Sequence, residues 1–378
     1  MVIQAAQVSS DQANFPILLN KDNLPAEMFG VGPNAALNGG GDIRVTTDKN
    51  GLTQVPIEIG QFVTSATAAS QSAEVWVKIT SLSSVNNTTI YVWYGGPAGT
   101  TQPADTTTYG AEAVWDTNYK GVWHLNENWN TNAGGFGEST ASNKHSTGSI
   151  VEGSPTVVAV AGKWGGQAIQ SLNVATHSAE YRISCSSTSP LDFNPRGTTG
   201  STFEGWLQWH TAGQGWFMGN GNGTSINGWN MRGLGLGTNG DSKIWWNRAS
   251  GDGGLRSTGT VSVDTWAHIA VTVDSGGGGV YYINGSAAGT IAAAGIAATA
   301  GVGTFAIGTG FGADSDAARE PHPGNIDEIR IATTARSAGW IATTYNTTNA
   351  PASFVVKGVA TFAGPRKRHV MYQDPGMI

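Results

Sequence analysis

Apolar residues recur along this chain with a period of two, in short runs separated by turn residues. The runs FPILLN (15–20), GGDIRVTT (40–47), QVPIEIG (54–60), AEVWVKITSL (73–82) and TTIYVWYGG (88–96) come first. In the fourth, Val75, Val77 and Ile79 alternate with Trp76 and Lys78, the pattern of a half-buried strand. A second series follows with AGKWGGQAIQSL (161–172), AEYRISC (179–185), STFEGWLQWHT (201–211), WAHIAVTVDSG (266–276), VYYINGSAAGTI (280–291) and GTFAIGTG (303–310). Asn50-Gly51 and Asn284-Gly285 are hairpin signals, because both residue types tolerate positive φ. The stretch from Gly324 to Asn346 changes period partway. Ile326, Glu328 and Arg330 are predicted on one face of a strand and Asp327, Ile329 and Ile331 on the other. Ser337 then caps a short helix with Ile341 and Tyr345 on one side.

Composition supports an all-β protein. Glycine supplies 54 of 378 residues, about twice the usual share, and charged residues are 12%, about half of it. Proline is sparse at 14, and no collagen-like period accompanies the glycine, so the chain has turns rather than low complexity. The net charge of -6 argues against nucleic acid, whose phosphates need a basic face. One cysteine, Cys185, excludes an intramolecular disulfide framework and is read as a small buried hydrophobe. The start, MVIQAAQVSS, lacks a basic n-region and a long apolar run, so no secretory signal and no membrane insertion are expected.

Two resemblances sharpen this. The residues Gly324, Ile326, Asp327, Glu328, Arg330, Ile331, Arg336, Ser337, Trp340 and Ile341 match a G-x-IDE-x-RI strand followed by an RS-x-x-W turn. That wording resembles the end of a laminin-G-like (concanavalin A-like) jelly roll. The phrases FPILL, GGDIRV, PIEI, AEVWVKI and IYVWYGG, with the junction YGAEAVWDTNYKGVWHLNE (109–127), are similar to the domain of unknown function 2341 family, here with its lead-in strand short before Phe15. The resemblance implies two β-sandwiches, the second a laminin-G-like jelly roll, with extended N- and C-terminal arms. The expected divisions are an arm at 1–14, a small sandwich at 15–112, the jelly roll at 113–358 and a second arm at 359–378. The short lead-in strand leaves an open edge that a partner could cover.

Sugar-binding sandwiches need a flat apolar face rimmed by polar groups. Trp216, Trp229, Asn230, Trp245 and Trp246 are the candidates, although adjacency sends Trp245 and Trp246 to opposite faces and at least one into the core. A calcium site is the second candidate: Asp314, Asp316 and Glu320 crowd the loop 311–324, and Asp327 opens the next strand. Related jelly rolls often hold Ca2+, and such cations need six to eight oxygens. Catalysis has little support. Adjacent Asp327 and Glu328 are expected on opposite faces, Glu204 stands alone, the seven histidines are scattered, and neither HExxH, a nucleophile elbow nor a P-loop occurs.

The reading that follows is a non-enzymatic, homo-oligomeric recognition or adhesion protein that binds a glycan or cell-surface polysaccharide. It is placed on a virus (phage) particle surface, attached to other virion proteins through its arms, where Arg366, Lys367, Arg368 and His369 form a basic cluster. The alternatives are a purely structural capsid decoration or tail protein, a polysaccharide-active hydrolase or lyase, and an extracellular location reached by a non-classical route.

Overall fold

A computed structural model describes residues 1–126, 148–150, 158–164, 167–170, 183–185, 194–210, 214–221, 228–234, 242–247, 255–293, 295–296, 306–308 and 322–358. The chain forms two units. The first combines Met1–Asp116 with Ala342–Ile378, and the second is Thr117–Ile341. The expected division at 113–358 is therefore corrected at both ends, with the residues after Ile341 returning to the first unit. No helix among the described residues is long and apolar enough to cross a membrane.

In the first unit, Ser72–Leu82 is the middle strand between Gln12–Asn20 and Ile57–Val63, all antiparallel. Phe15, Ile17, Leu19, Val75, Val77 and Ile79 are buried, as their alternation requires. The opposite face is not open as a half-buried strand would have it. Trp76 is fully buried, its ring 5.6 Å from that of Trp115, and its Nε1 donates to Glu74. A second sheet sets Arg44–Thr46 between Gln54–Val55 and Tyr91–Trp93. Its Asn50-Gly51 turn has Gly51 at φ 78° and is held by the Asp48 carboxylate, which accepts from the Asn50 and Thr53 amides.

The expected arm at 1–14 is instead part of this unit. Val2–Ile3 pairs with both Thr88–Thr89 and Val355–Val356, Ile3 is fully buried, and the Met1 ammonium donates to the Ile90 carbonyl at 2.8 Å. The sequence signal was polarity alone, and two paired residues are too short a strand to show a period.

Ser337 caps the helix Ala338–Asn349 as expected, its hydroxyl accepting from the Trp340 amide at 3.1 Å. The helix is longer than expected, and past Ile341 its buried positions are threonines: Thr343, Thr344, Thr347 and Thr348. These hydroxyls serve the backbone. Thr347 accepts from the Leu18 amide and Thr343 from the Ser9 amide, both at 3.1 Å. Asn346 donates to the Gln7 carbonyl, and Asn23 to the Pro351 carbonyl. The edge of Gln12–Asn20 expected to need a partner is thus met by this chain's own helix, which supplies the acceptor an edge N–H lacks.

In the second unit, the described residues form two antiparallel sheets around one core. The larger runs Val158–Ala161, Gln167–Gln170, Gly324–Ala332, Ser201–Trp209, Ala267–Val273, Gly279–Ile283 and Ser286–Ile291, with Tyr119–Trp123 also paired to Gly324–Ala332. The other runs Gly148–Ile150, Ile183–Cys185, Ala306–Ile307, Gln214–Gly221, Gly228–Leu234 and Ile244–Asn247. Phe203, Leu207, Trp209, Ile269, Val271, Ile326, Ile329 and Ile331 from the first sheet pack with Phe217, Met218, Ile244, Trp246 and Ile307 from the second. This is a β-sandwich, as expected. The Asn284-Gly285 turn forms with φ of 50° and 75°, and joins Ile283 to Ser286.

Replacing Thr347 by Val should cost about 1–3 kcal/mol, because it strands the buried Leu18 N–H with little change of shape. Urea denaturation of the two proteins would measure this; an unchanged midpoint would show that the hydroxyl contributes nothing.

Candidate functional site

The strand Gly324–Ala332 departs from simple alternation. Trp206 pairs with Asp327 and Glu204 with Arg330, so one intervening residue faces two. The extra residue makes a β-bulge, with Glu328 at φ 54°. Opposite it stands Gly205, where a Cβ would lie only 2.5 Å from Ile329 Cδ1. The bulge shifts the phase: Ile326, Ile329 and Ile331 all enter the core, while Asp327, Glu328 and Arg330 share the other face. The expected separation of Asp327 from Glu328 is corrected. Strict parity fails because a bulge inserts one residue, and period-two counting has no term for it.

That face carries a buried ionic network. The Arg330 guanidinium donates from Nε and Nη2 to Glu328 Oε2 at 3.1 and 2.6 Å, and its Nη1 lies 3.8 Å from Glu204. Glu328 also contacts His124 Nδ1, and Glu204 lies 3.6 Å from His268 Nε2. All five side chains are buried. Burial alone would raise the Glu204 carboxyl, but His268 and Arg330 outweigh it and hold it below the usual range. Burial likewise opposes the Arg330 charge, and Glu328 and then Glu204 overcome it, raising its pKa. The Glu204 carboxylate is thus held ionised beside a cation, and Arg330 links the two strands Ser201–Trp209 and Gly324–Ala332. Next along the face, Lys163 Nζ lies 4.6 Å from the centre of the Trp206 ring, which meets Trp164 edge-on at 6.5 Å. Burial lowers the Lys163 pKa, and Asp327 offsets this in part.

The tryptophan candidates separate by register. Trp246 is a core residue, 3% exposed and edge-on to Phe203 at 5.1 Å, which corrects its assignment as a ligand contact. Its neighbour Trp245 lies on the other face, as adjacency predicts. It too is buried, 7% exposed, under the Arg256 guanidinium, which lies 3.6 Å from its ring centre. The pairing Trp216–Arg232–Trp245 forms one row across three strands, and Asn230 pairs with Asn247 two residues away. Trp229 pairs with Asn220 and falls at the parity of Met231, the partner of Trp246.

Of the acidic candidates, Asp314, Asp316 and Glu320 lie outside the described residues, as do Arg366, Lys367, Arg368 and His369. Asp327 is placed: its Oδ2 accepts from the Lys163 amide at 2.8 Å.

Periodicity gave no sign of a polar chain at the end of the larger sheet. Asn325 Nδ2 donates to Gln208 Oε1 at 2.8 Å, and Gln208 Nε2 to the Asp264 carbonyl at 3.0 Å. His210 Nδ1 lies 2.8 Å from Asp264 Oδ1. Asp264 itself has φ 56°. His322 is fully buried, its ring edge-on to Trp209 at 4.6 Å, and burial drives its pKa down to about 3. These residues lie far apart in sequence, and only the pairing of Ser201–Trp209 with Gly324–Ala332 brings them together.

Residues 184–342 match the family of concanavalin A-like lectins and glucanases, less than half of the chain. No curated protein matches the chain. Among solved structures, it is similar to domain 4 of an extracellular arabinanase from Geobacillus stearothermophilus, with 20% identity, 52% of this chain and 88% of that one covered, and a TM-score of 0.36. It is similar too to a heptameric pentraxin of Limulus polyphemus, with 16% identity, coverage of 38% and 67%, and a TM-score of 0.31. The binding domain of Paraclostridial Mosquitocidal Protein 1 gives 15% identity, coverage of 55% and 48%, and a TM-score of 0.40.

Arg330→Met should destabilise the second unit by about 3–5 kcal/mol, since Glu204 and Glu328 would remain buried without their shared cation. Denaturation followed by tryptophan fluorescence checks this, and a loss under 1 kcal/mol would mean that the network is energetically like a surface pair.

Proposed function

We propose that the second unit is a non-catalytic glycan-recognition module and that the smaller sheet's outer face carries the binding surface. The observation that carries this reading is the row Trp216–Arg232–Trp245. Register aligns positions 216, 232 and 245 at the parity opposite to Trp246, and tryptophan and arginine are the flat apolar and polar residue types that sugars require. Positions 230 and 247 pair two residues along the same strands. The match to a lectin and glucanase family supports a carbohydrate ligand. A hydrolase or lyase is disfavoured because Glu204 and Glu328 are tied to Arg330 and buried.

The first unit we read as the counterpart of the domain of unknown function 2341, and the whole chain as an exterior component of a virus particle. The absence of a disulfide framework suits assembly in a reducing cell interior before release. A purely structural decoration protein is the competing reading.

On a glycan array, the intact protein should bind a defined subset of sugars, and Trp216→Ala should weaken that binding at least about tenfold, the loss of one stacking contact. No binding to any glycan would favour the structural alternative. Antibody labelling of purified particles from lysed cells should decorate their exterior; label confined to the soluble fraction would remove the virion assignment.

A further inference from the structure

The sequence holds seven Asn-Gly dipeptides, and the structure describes the asparagine side chain at three of them, 38, 50 and 284. An asparagine before glycine is chemically vulnerable, because a residue without Cβ leaves its amide nitrogen open to the preceding carboxamide. Reaction requires that nitrogen to meet the asparagine Cγ at about 3–3.5 Å. All three asparagines are exposed, so exposure does not separate them. Hydrogen bonding does. Asn38 Oδ1 accepts from the Thr64 amide at 3.0 Å, and the Gly39 amide donates to the Phe62 carbonyl at 2.8 Å, so both reacting groups are tied. Asn284 Oδ1 accepts from the His268 amide at 2.9 Å, which fixes its carboxamide. Asn50 has neither restraint. Its backbone amide donates to Asp48 Oδ1 at 2.8 Å, but its carboxamide bonds to no described residue. The Gly51 amide reaches the Asp48 carbonyl only at 3.4 Å.

We propose that Asn50-Gly51 is a self-modification site, where the fold permits a deamidation that it suppresses at 38–39 and 284–285. The Gly51 nitrogen attacks Asn50 Cγ and forms a C–N bond. The Cγ–Nδ2 bond breaks, and Nδ2 leaves as ammonia with the proton lost from Gly51. Water then opens the resulting succinimide, giving OH to one carbonyl carbon and H to the ring nitrogen. Cleavage at Cγ yields aspartate; cleavage at the other carbonyl yields isoaspartate, whose main chain runs through Cγ. Water is the only co-reactant. Either product places a second carboxylate on a turn that Asp48 already organises through the Asn50 and Thr53 amides. An acidic form of the hairpin between Arg44–Thr46 and Gln54–Val55 therefore accumulates with the age of the protein.

The full chain is incubated in mildly alkaline buffer, folded and in urea, and each Asn-Gly peptide is followed by mass spectrometry, with chromatography separating isoaspartyl from aspartyl forms. In the folded protein the Asn50 peptide should convert at least about tenfold faster than those holding Asn38 and Asn284, the effect of a retained hydrogen bond on a rate. In urea the three should converge, because each asparagine precedes glycine and the restraints are gone. Asn50→Gln, whose longer side chain must close a larger ring, should abolish conversion at 50 and leave the other two unchanged, with circular dichroism checking that this exposed variant folds. No conversion at 50 in the folded chain, conversion at 38 or 284 as fast as at 50, or the same tenfold difference in urea would each overturn the proposal.

Discussion

The second unit depends on one guanidinium. Arg330 sits inside a sheet face with Glu328 on its own strand and Glu204 on the next, and all three are buried. Burying three charges is costly unless each is matched. The match requires Glu328 and Arg330 on the same side, with Ile329 between them turned into the core. An added residue at Glu328 allows this, and the missing side chain at Gly205 leaves room for Ile329. Bulge, glycine and ion pair are therefore one device, and changing any of them disturbs the other two.

The first unit meets a different constraint with uncharged groups. Its helix presents threonine hydroxyls where a typical amphipathic helix presents leucines, and two of them accept from backbone amides at Ser9 and Leu18. A hydroxyl that both fills volume and accepts a hydrogen bond can lie against a strand whose edge would otherwise be unmet. The helix of the first unit thus satisfies buried polarity with neutral hydroxyls, where the sheet face around Arg330 in the second does so with fixed charge.

Much of the architecture was legible in the sequence. Alternation in Ser201–Trp209 and Ala267–Val273 marks the core face, because period two survives wherever a strand is regular. Asn284-Gly285 and Ser337 worked because turn and cap chemistry is local. Three things stayed hidden for physical reasons. The bulge at Glu328 breaks the rule by which its own side was assigned. Val2–Ile3 is too short to carry a pattern. The threonine face has no hydrophobic signature at all. The candidate sites were less legible still: adjacency showed that Trp245 and Trp246 diverge, but only the register identifies Trp246 as the core residue. The chain from Asn325 to His210 joins residues that pairing alone makes neighbours.

The contact between Leu18 and Thr347 spans 329 residues. During synthesis at about 5–20 residues per second, the strand Gln12–Asn20 therefore waits tens of seconds for the helix that meets its edge. The second unit, contiguous from Thr117 to Ile341, has emerged before Thr347 leaves the ribosome. The order of birth then imposes an order of folding: the inserted unit matures first, while its host holds an exposed strand edge. That interval, rather than the finished fold, is where this chain is most open to mispairing with another copy of itself.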